Sequence, residues 1–215
     1  MENDTIDTKA LFQSYTTDPA FLDEVFEEKG KLRDHYQRVH SHFSRLSLQE
    51  FKDLYEYAKK SSFEQGITFN VYSDNAQGVE RIFPFDLFPR IILPREWNAL
   101  ERGLTQRNHA LNLFLQDIYN DKKILKDGVV PKELIFSSRH YAKSMLDFVP
   151  PSEVYVHISG TDVIRHKDGN FYVLEDNLRC PSGVSYVLSN RIATKRMLPN
   201  LFFQNKVQAD RKSVV

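Results

Sequence analysis

A single cysteine, Cys180, is all the thiol chemistry this 215-residue sequence offers. One cysteine excludes an internal disulfide and any cysteine-rich zinc site. No histidine is arranged near it in sequence, so it reads as a loop thiol and not as a nucleophile. An excess of charge is also missing: Lys plus Arg and Asp plus Glu both number 29, a formal net charge of zero. Nothing global steers the chain toward nucleic acid or an anionic membrane, and any anion site must be local. The longest apolar runs, "RIILP" and "ALNLFL", fall far short of the ~20 residues that cross a bilayer. The N-terminus "MENDTIDTKA" is polar and acidic, and the chain is expected in the cytoplasm. There are no internal repeats, no low-complexity tracts and no GxxxxGK[ST] phosphate loop.

What is present is a chain long enough for one sizeable domain or two small ones, with 41% hydrophobic residues to build a core. Residues 1–65 form an N-terminal region read as helical, with helix-spaced Phe21, Val25, Leu46, Phe51 and Leu54. "SLQE", Ser47 to Glu50, has the spacing of a capping box. "GITFNVY" and "VERIFPF" flank the turn-like "SDNAQG" and predict a β-hairpin. Prolines at 84, 89 and 94 then suit an irregular or edge segment. From Arg95 to Tyr119 the apolar positions keep a helical period, predicting the main buried helix, on which Asn108 and His109 read as a solvated face. "KDGVVPKELIFSS" predicts a turn and a short strand, "SRHYAKSMLDF" a short helix, and Pro150-Pro151 an internal boundary. The expected fold class is α+β or mixed α/β: N-terminal helices, then a mixed, largely antiparallel sheet with helices packed on it.

The densest chemistry lies in "EVYVHISGTDVIRHKDGNFYVLEDN". Two strand-like runs flank Asp168-Gly169, a strong signal for a two-residue type I′ turn. With that turn, Lys167 pairs with Asn170 and Asp162 falls directly opposite Glu175, with Asn177 on the same face. Val163, Arg165, Tyr172, Leu174 and Asp176 fall on the other face, where Arg165 stands against Tyr172. A three-residue turn would set Asp162 against Asp176 instead. Like charges facing each other destabilise a sheet unless a cation compensates them. Two carboxylates and an amide are hard oxygen donors that suit Mg²⁺, with phosphates and waters completing its shell. The alternative is an acidic hairpin end that is simply solvated. A metal-dependent nuclease would need a lysine where Asn177 stands.

Beyond Asn177 the chain reads "LRCPSGVSYVLSNR". Ser182, Gly183 and Ser185 stand at an expected helix start, where backbone N–H groups and small side chains can cradle an anion. The two serines serve equally well as ordinary helix caps. Arg179 can clamp a phosphate or carboxylate with two bonds.

Asp162, the Asp168-Gly169 turn and Glu175-x-Asn177 together resemble the magnesium-binding hairpin of ATP-grasp ligases. The longer strings "RIFPFDLFPRII", "ERGLTQRNHALNLFLQDIYND" and "VYVHISGTDVIRHKDGNFYVLEDNLRCPSGVSYVLSNR" resemble the circularly permuted ATP-grasp family of type 2, which is similar to glutathionylspermidine synthetase. On this resemblance residues 66–203 are a partial ATP-grasp domain and 204–215 a tail. The resemblance implies ATP and Mg²⁺ as cofactors, Asp162, Glu175 and Asn177 as metal ligands, and a substrate carrying a carboxylate and an amine, joined as an amide through an acyl phosphate. It implies neither nucleic-acid nor membrane partners. Many ATP-grasp enzymes carry an arginine two residues before the first acid; here that residue is Gly160, which makes Arg179 the candidate catalytic arginine. In the permuted family the lysines and adenine pocket come from a later segment, so the chain is expected to be an N-terminal fragment. It would then need a partner chain for the missing half, or serve as a non-catalytic module that keeps the fold.

Overall fold

Among the described residues, seven α-helices and four strands follow one another, the strands paired as two separate hairpins. The structure is a computed structural model that describes residues 11–12, 14–27, 30–72, 78–82 and 84–208. In chain order the elements are α1 (Gln37–Phe43), α2 (Leu48–Glu64), β1 (Thr68–Tyr72), β2 (Gly78–Ile82), α3 (Pro94–Tyr119), α4 (Lys123–Lys126) and α5 (Lys132–Phe136). They continue with β3 (Gly160–Arg165), β4 (Phe171–Asn177), α6 (Gly183–Met197) and α7 (Pro199–Gln204). The α+β class expected from sequence is what the chain adopts. No helix of the described residues is long and apolar enough to cross a membrane.

The chain divides into two compact units. The first contains the described residues before Pro94, Arg165–Asn170, and residues 182–208. Its core grows from one helical face: Tyr36, Val39 and Phe43, at i, i+3 and i+7, are at most 1% exposed. Ala58 of α2, Leu87 of the irregular segment, and Leu198 and Leu201 around α7 close the cluster. Phe88 stacks on Tyr36 with ring centroids 5.9 Å apart and packs against Phe43 at 5.0 Å. The Tyr36 hydroxyl accepts the Ile91 N–H at 2.9 Å, fastening the proline-rich segment to this core. Burial pushes the Tyr36 phenol above its ordinary pKa, with the Ile91 N–H working in the opposite direction.

The capping box forms as read from "SLQE". The Glu50 N–H donates to Ser47 Oγ at 3.2 Å, and the Ser47 N–H donates to Glu50 Oε2 at 2.7 Å. These bonds from Ser47 hold the Glu50 carboxyl below the usual glutamate value. The β1–β2 hairpin is antiparallel with Thr68 opposite Ile82 and Tyr72 opposite Gly78. Residues 73–77 of its expected "SDNAQG" turn lie outside the described residues.

The N-terminal helical reading needs correction around Phe21 and Val25, which lie in bends. Aspartates there compete with a helix for backbone donors: Asp18 accepts the Ala20 N–H, and one oxygen of Asp23 accepts those of Val25 and Phe26. Residues 1–10 of that region lie outside the described residues.

The second unit is Pro94–Ile164 with Phe171–Pro181. Pro94 opens α3, where its fixed φ suits a first turn. The expectation that α3 is the main buried element does not hold: only Ile118 and Tyr119, in its last turn, are buried. Tyr119 stacks on Tyr141 at 5.1 Å, and its hydroxyl accepts the Ala142 N–H. "KELIF" is the short helix α5 and not a strand, as its Lys, Glu and Leu prefer. "SRHYAKSMLDF" contains only a single 3-10 turn, Lys143–Met145. The Asn112 side chain, one face along α3, accepts the N–H groups of Tyr155 and Val156 and donates to the Glu153 carbonyl. It thereby holds the chain just ahead of β3.

Candidate functional site

The β3–β4 hairpin carries the residues singled out from sequence. Its turn corrects the two-residue expectation. The His166 N–H donates to the Asn170 carbonyl and the Gly169 N–H to the His166 carbonyl, both at 2.9 Å, which closes a three-residue turn over Lys167, Asp168 and Gly169. Gly169 has φ +82, the positive value that such a turn requires of its last residue. Asp168 Oδ1 accepts the Asn170 N–H at 2.9 Å and steadies the bend.

At the far end Thr161 Oγ1 donates to Asp176 Oδ1 at 3.0 Å, so those two share a face. Counted from the His166–Asn170 pair to the Thr161–Asp176 pair, β4 carries one residue more than β3. The extra residue shows in the burial pattern, where Leu174 and Glu175 are both exposed in succession. This is the two-against-one arrangement of a β-bulge. Pleating alone would alternate them.

The slip sorts the side chains. Thr161, Val163, Arg165, Phe171, Val173 and Asp176 are partly buried on the inner face. Asp162, Ile164, Tyr172, Leu174, Glu175 and Asn177 are exposed. Tyr172 and Leu174 therefore leave the face that sequence assigned them, and Arg165 does not stand against Tyr172. Instead Arg165, with a side chain only 9% exposed, pairs through Nε with Glu24 at 3.1 Å. Glu24 also takes Arg90 at 3.6 Å.

The three acids of the hairpin strands end in different environments. Asp176 is 9% exposed and held by Arg107 Nε at 2.7 Å as well as by Thr161. It is an anchor between α3 and the hairpin. Glu175 Oε1 accepts from Asn177 Nδ2 at 3.1 Å, which brings these two together on the outer side of β4. Asp162 is exposed on β3. Among the described residues no Lys, Arg or His pairs with Asp162 or Glu175. Nor do three His, Cys, Asp or Glu side chains gather as a metal cluster among them. The donor set is thus two carboxylates and an amide, and a hard cation held there would draw further oxygens from bound phosphate and water, the usual shell of protein-bound Mg²⁺.

Arg179 and Cys180 are exposed between β4 and α6. Ser182 occupies the N-cap position of α6 without making a side-chain cap bond. Ser185 Oγ donates to the Ser182 carbonyl at 2.6 Å. On α3, His109 is exposed as expected, whereas Asn108 is half-buried and its Oδ1 has no hydrogen-bond partner among the described residues. A cleft of about 370 Å³ lies between α1 and α7 and is lined by Arg38, His42 and Arg45 among others. It contains none of the hairpin residues.

Gly160 explains a departure from the expected pattern. A Cβ added there would lie 2.7 Å from the Cβ of Pro181, a rigid ring that cannot swing away. A side chain as long as arginine has no room at that position. Gly160→Ala is expected to cost about 1–3 kcal/mol in urea denaturation, the usual size of an overpacking penalty. A variant as stable as the natural chain would show that this close approach does not exist.

Sequence reasoning missed the two long-range ion pairs, Arg107–Asp176 and Arg165–Glu24. Only the placing of two charged residues on a strand's inner face hinted that each needs a partner.

Comparison with known proteins adds the following. A family model described as circularly permuted ATP-grasp type 2 matches residues 89–214. An uncharacterized protein of Mycobacterium leprae is 42% identical over 205 residues, 94% of this chain and 36% of that protein. One from Synechocystis is 46% identical over 191 residues, 88% of this chain and 39% of its own length. A Frankia casuarinae protein named as a candidate glutamate–cysteine ligase is 36% identical over 186 residues, 85% of this chain and 21% of its own. The chain spans well under half the length of these relatives.

Proposed function

The chain belongs to the circularly permuted ATP-grasp type 2 family, and from that premise we propose that its β3–β4 hairpin holds the magnesium of an ATP-dependent ligase. The reaction is carboxylate–amine ligation: a carboxylate oxygen attacks the terminal phosphorus of ATP and ADP leaves. The amine nitrogen then attacks the acyl carbon, phosphate leaves with the bonding pair, the nitrogen gives up a proton to solvent or to the departing phosphate, and an amide remains. A relative named as a candidate glutamate–cysteine ligase supports this class, since that name describes the same bond.

One observation carries the reading: of the hairpin's acids, Asp176 is neutralised by Arg107, while exposed Asp162 and Glu175 have no cationic partner among the described residues. A strand that buries one acid in an ion pair and turns the other outward beside an amide presents a hard-oxygen surface to a cation. Asp162, Glu175 and Asn177 are the proposed ligands. Magnesium, when bound, supplies charge neutralisation for the phosphates. Arg179 is proposed to stabilise charge developing on the transferred group. Ser182, Gly183 and Ser185 are proposed, separately, to receive an anion at the start of α6. The substrates would carry a carboxylate and an amine, and neither nucleic acid nor membrane is a proposed partner.

Calorimetry with MgATP tests the assignment on this chain. The expected result is heat of binding at millimolar nucleotide, and affinity lower by at least roughly tenfold in Asp162→Asn/Glu175→Gln, about 1.4 kcal/mol. Absence of heat from the natural chain, or equal affinity in the double variant, would overturn it.

A further inference from the structure

Helix α6 is built inside out. A helix on the surface of a soluble unit normally turns its apolar stripe inward and its polar side to water. Arg191 and Lys195 share one side of α6 with the aliphatic residues Val184, Val187, Leu188 and Ile192, a stripe at i, i+3, i+4 and i+8. The four aliphatic residues are 46%, 66%, 44% and 49% exposed. The partly buried positions are Tyr186, Ser189, Asn190, Ala193, Thr194 and Met197 on the opposite side, and Arg191 within the stripe, over the Phe202 ring. The polar groups of that opposite side are satisfied where they sit: the Tyr186 hydroxyl donates to the Thr68 carbonyl at 3.0 Å, and Thr194 Oγ1 donates to the Asn190 carbonyl at 2.8 Å. Rolling the helix to bury the stripe would break the Tyr186 bond and lift Met197 from the core cluster it packs against. The orientation is thus set by the unit itself, and the stripe is left for another surface.

The lengths of the relatives say what that surface is. The match to the Mycobacterium leprae relative spans 94% of this chain, too much to leave out Val184 to Ile192 at either end, yet 64% of that protein lies outside it. We infer that the outward stripe of α6 is a docking surface for polypeptide corresponding to the part of the relatives that this chain does not span. The occupant presents an aliphatic counterface, with an acidic group to meet Lys195, which lies on the same side and is exposed. The inference rests on burial and length, independently of ion or nucleotide binding.

Thiol labelling tests it on proteins as they exist. Val187→Cys is introduced into this chain with exposed Cys180 changed to Ser, and the aligned residue is changed to cysteine in the full-length Mycobacterium leprae relative. Maleimide reaction is followed peptide by peptide by mass spectrometry. Ile192→Cys and its counterpart serve as a second pair if either first variant fails to fold. The expected result is fast labelling in this chain and protection of at least about tenfold in the full-length relative. Comparable rates in the two proteins would overturn the inference. So would protection in this chain that fades on dilution, which would make a second copy the occupant, or protection independent of concentration, which would mean the chain covers the stripe itself.

Discussion

Phe43→Ala is expected to lower the unfolding free energy of the first unit by about 3–5 kcal/mol, the range for emptying a phenylalanine site in a packed core. Phe43 is fully buried, lies in line with Tyr36 and Val39 on one helical face, and touches the rings of Phe51 and Phe88. Removing it leaves a void between elements that approach from three parts of the chain, so partial collapse cannot refill the space. Against a total stability of about 5–15 kcal/mol for a typical domain, this loss decides whether the unit folds at physiological temperature. Urea denaturation followed by circular dichroism measures it. Phe63→Ala, at a ring 62% exposed on α2, is the control, expected to change stability by less than about 0.5 kcal/mol. Equal costs for the two variants would mean that the core lies elsewhere.

Glu24→Ala should be comparably severe, about 3–5 kcal/mol, through charge and not volume. Arg165 is 9% exposed and Glu24 20%, so removing the carboxylate takes an ion-pair partner from a guanidinium held in a poorly hydrated place. Arg90, 72% exposed, loses only a surface contact. The penalty belongs to the abandoned charge, so Glu24→Leu/Arg165→Met should regain most of it. The comparison is Asp121→Ala, which breaks a pair with Lys123 in which both side chains are well exposed; water and salt screen such a pair, so its loss should cost far less. If Glu24→Ala proves no more costly than Asp121→Ala, the Arg165 pair is solvated and the argument fails.

How much of this was legible in the sequence follows the range of the interactions. Ser47 and Glu50 needed only each other, and the capping box was readable. The two hairpins and the long helix were written in short-period apolar patterns. Phe21 and Val25 had helical spacing but sit among aspartates whose side chains take the backbone donors a helix would use. The length of α3 suggested burial, whereas depth depends on what packs against it, and only its last turn is covered. In the hairpin, the Asp-Gly pair drew a two-residue turn because local preference cannot register a bulge further along. The longer turn moved Tyr172 and Leu174 to the outer face, and the bulge beyond them returned Asp176 to the inner one. Partners for Asp176 and Arg165 come from residues 69 and 141 positions away, beyond any local pattern.

The surplus residue in β4 has a further implication for how this strand tolerates change in length. Deleting Leu174 would restore plain alternation: Phe171, Val173 and Asp176 would keep their inward aim, and Glu175 and Asn177 their outward one. Loss of a residue from the stretch between Phe171 and Val173 would instead reverse a half-strand and drive Tyr172 or its neighbour into the packed side. A one-residue gap among homologous chains is thus to be sought at Leu174, where evolution can shorten the strand without exchanging the acid that anchors for the acid that faces water.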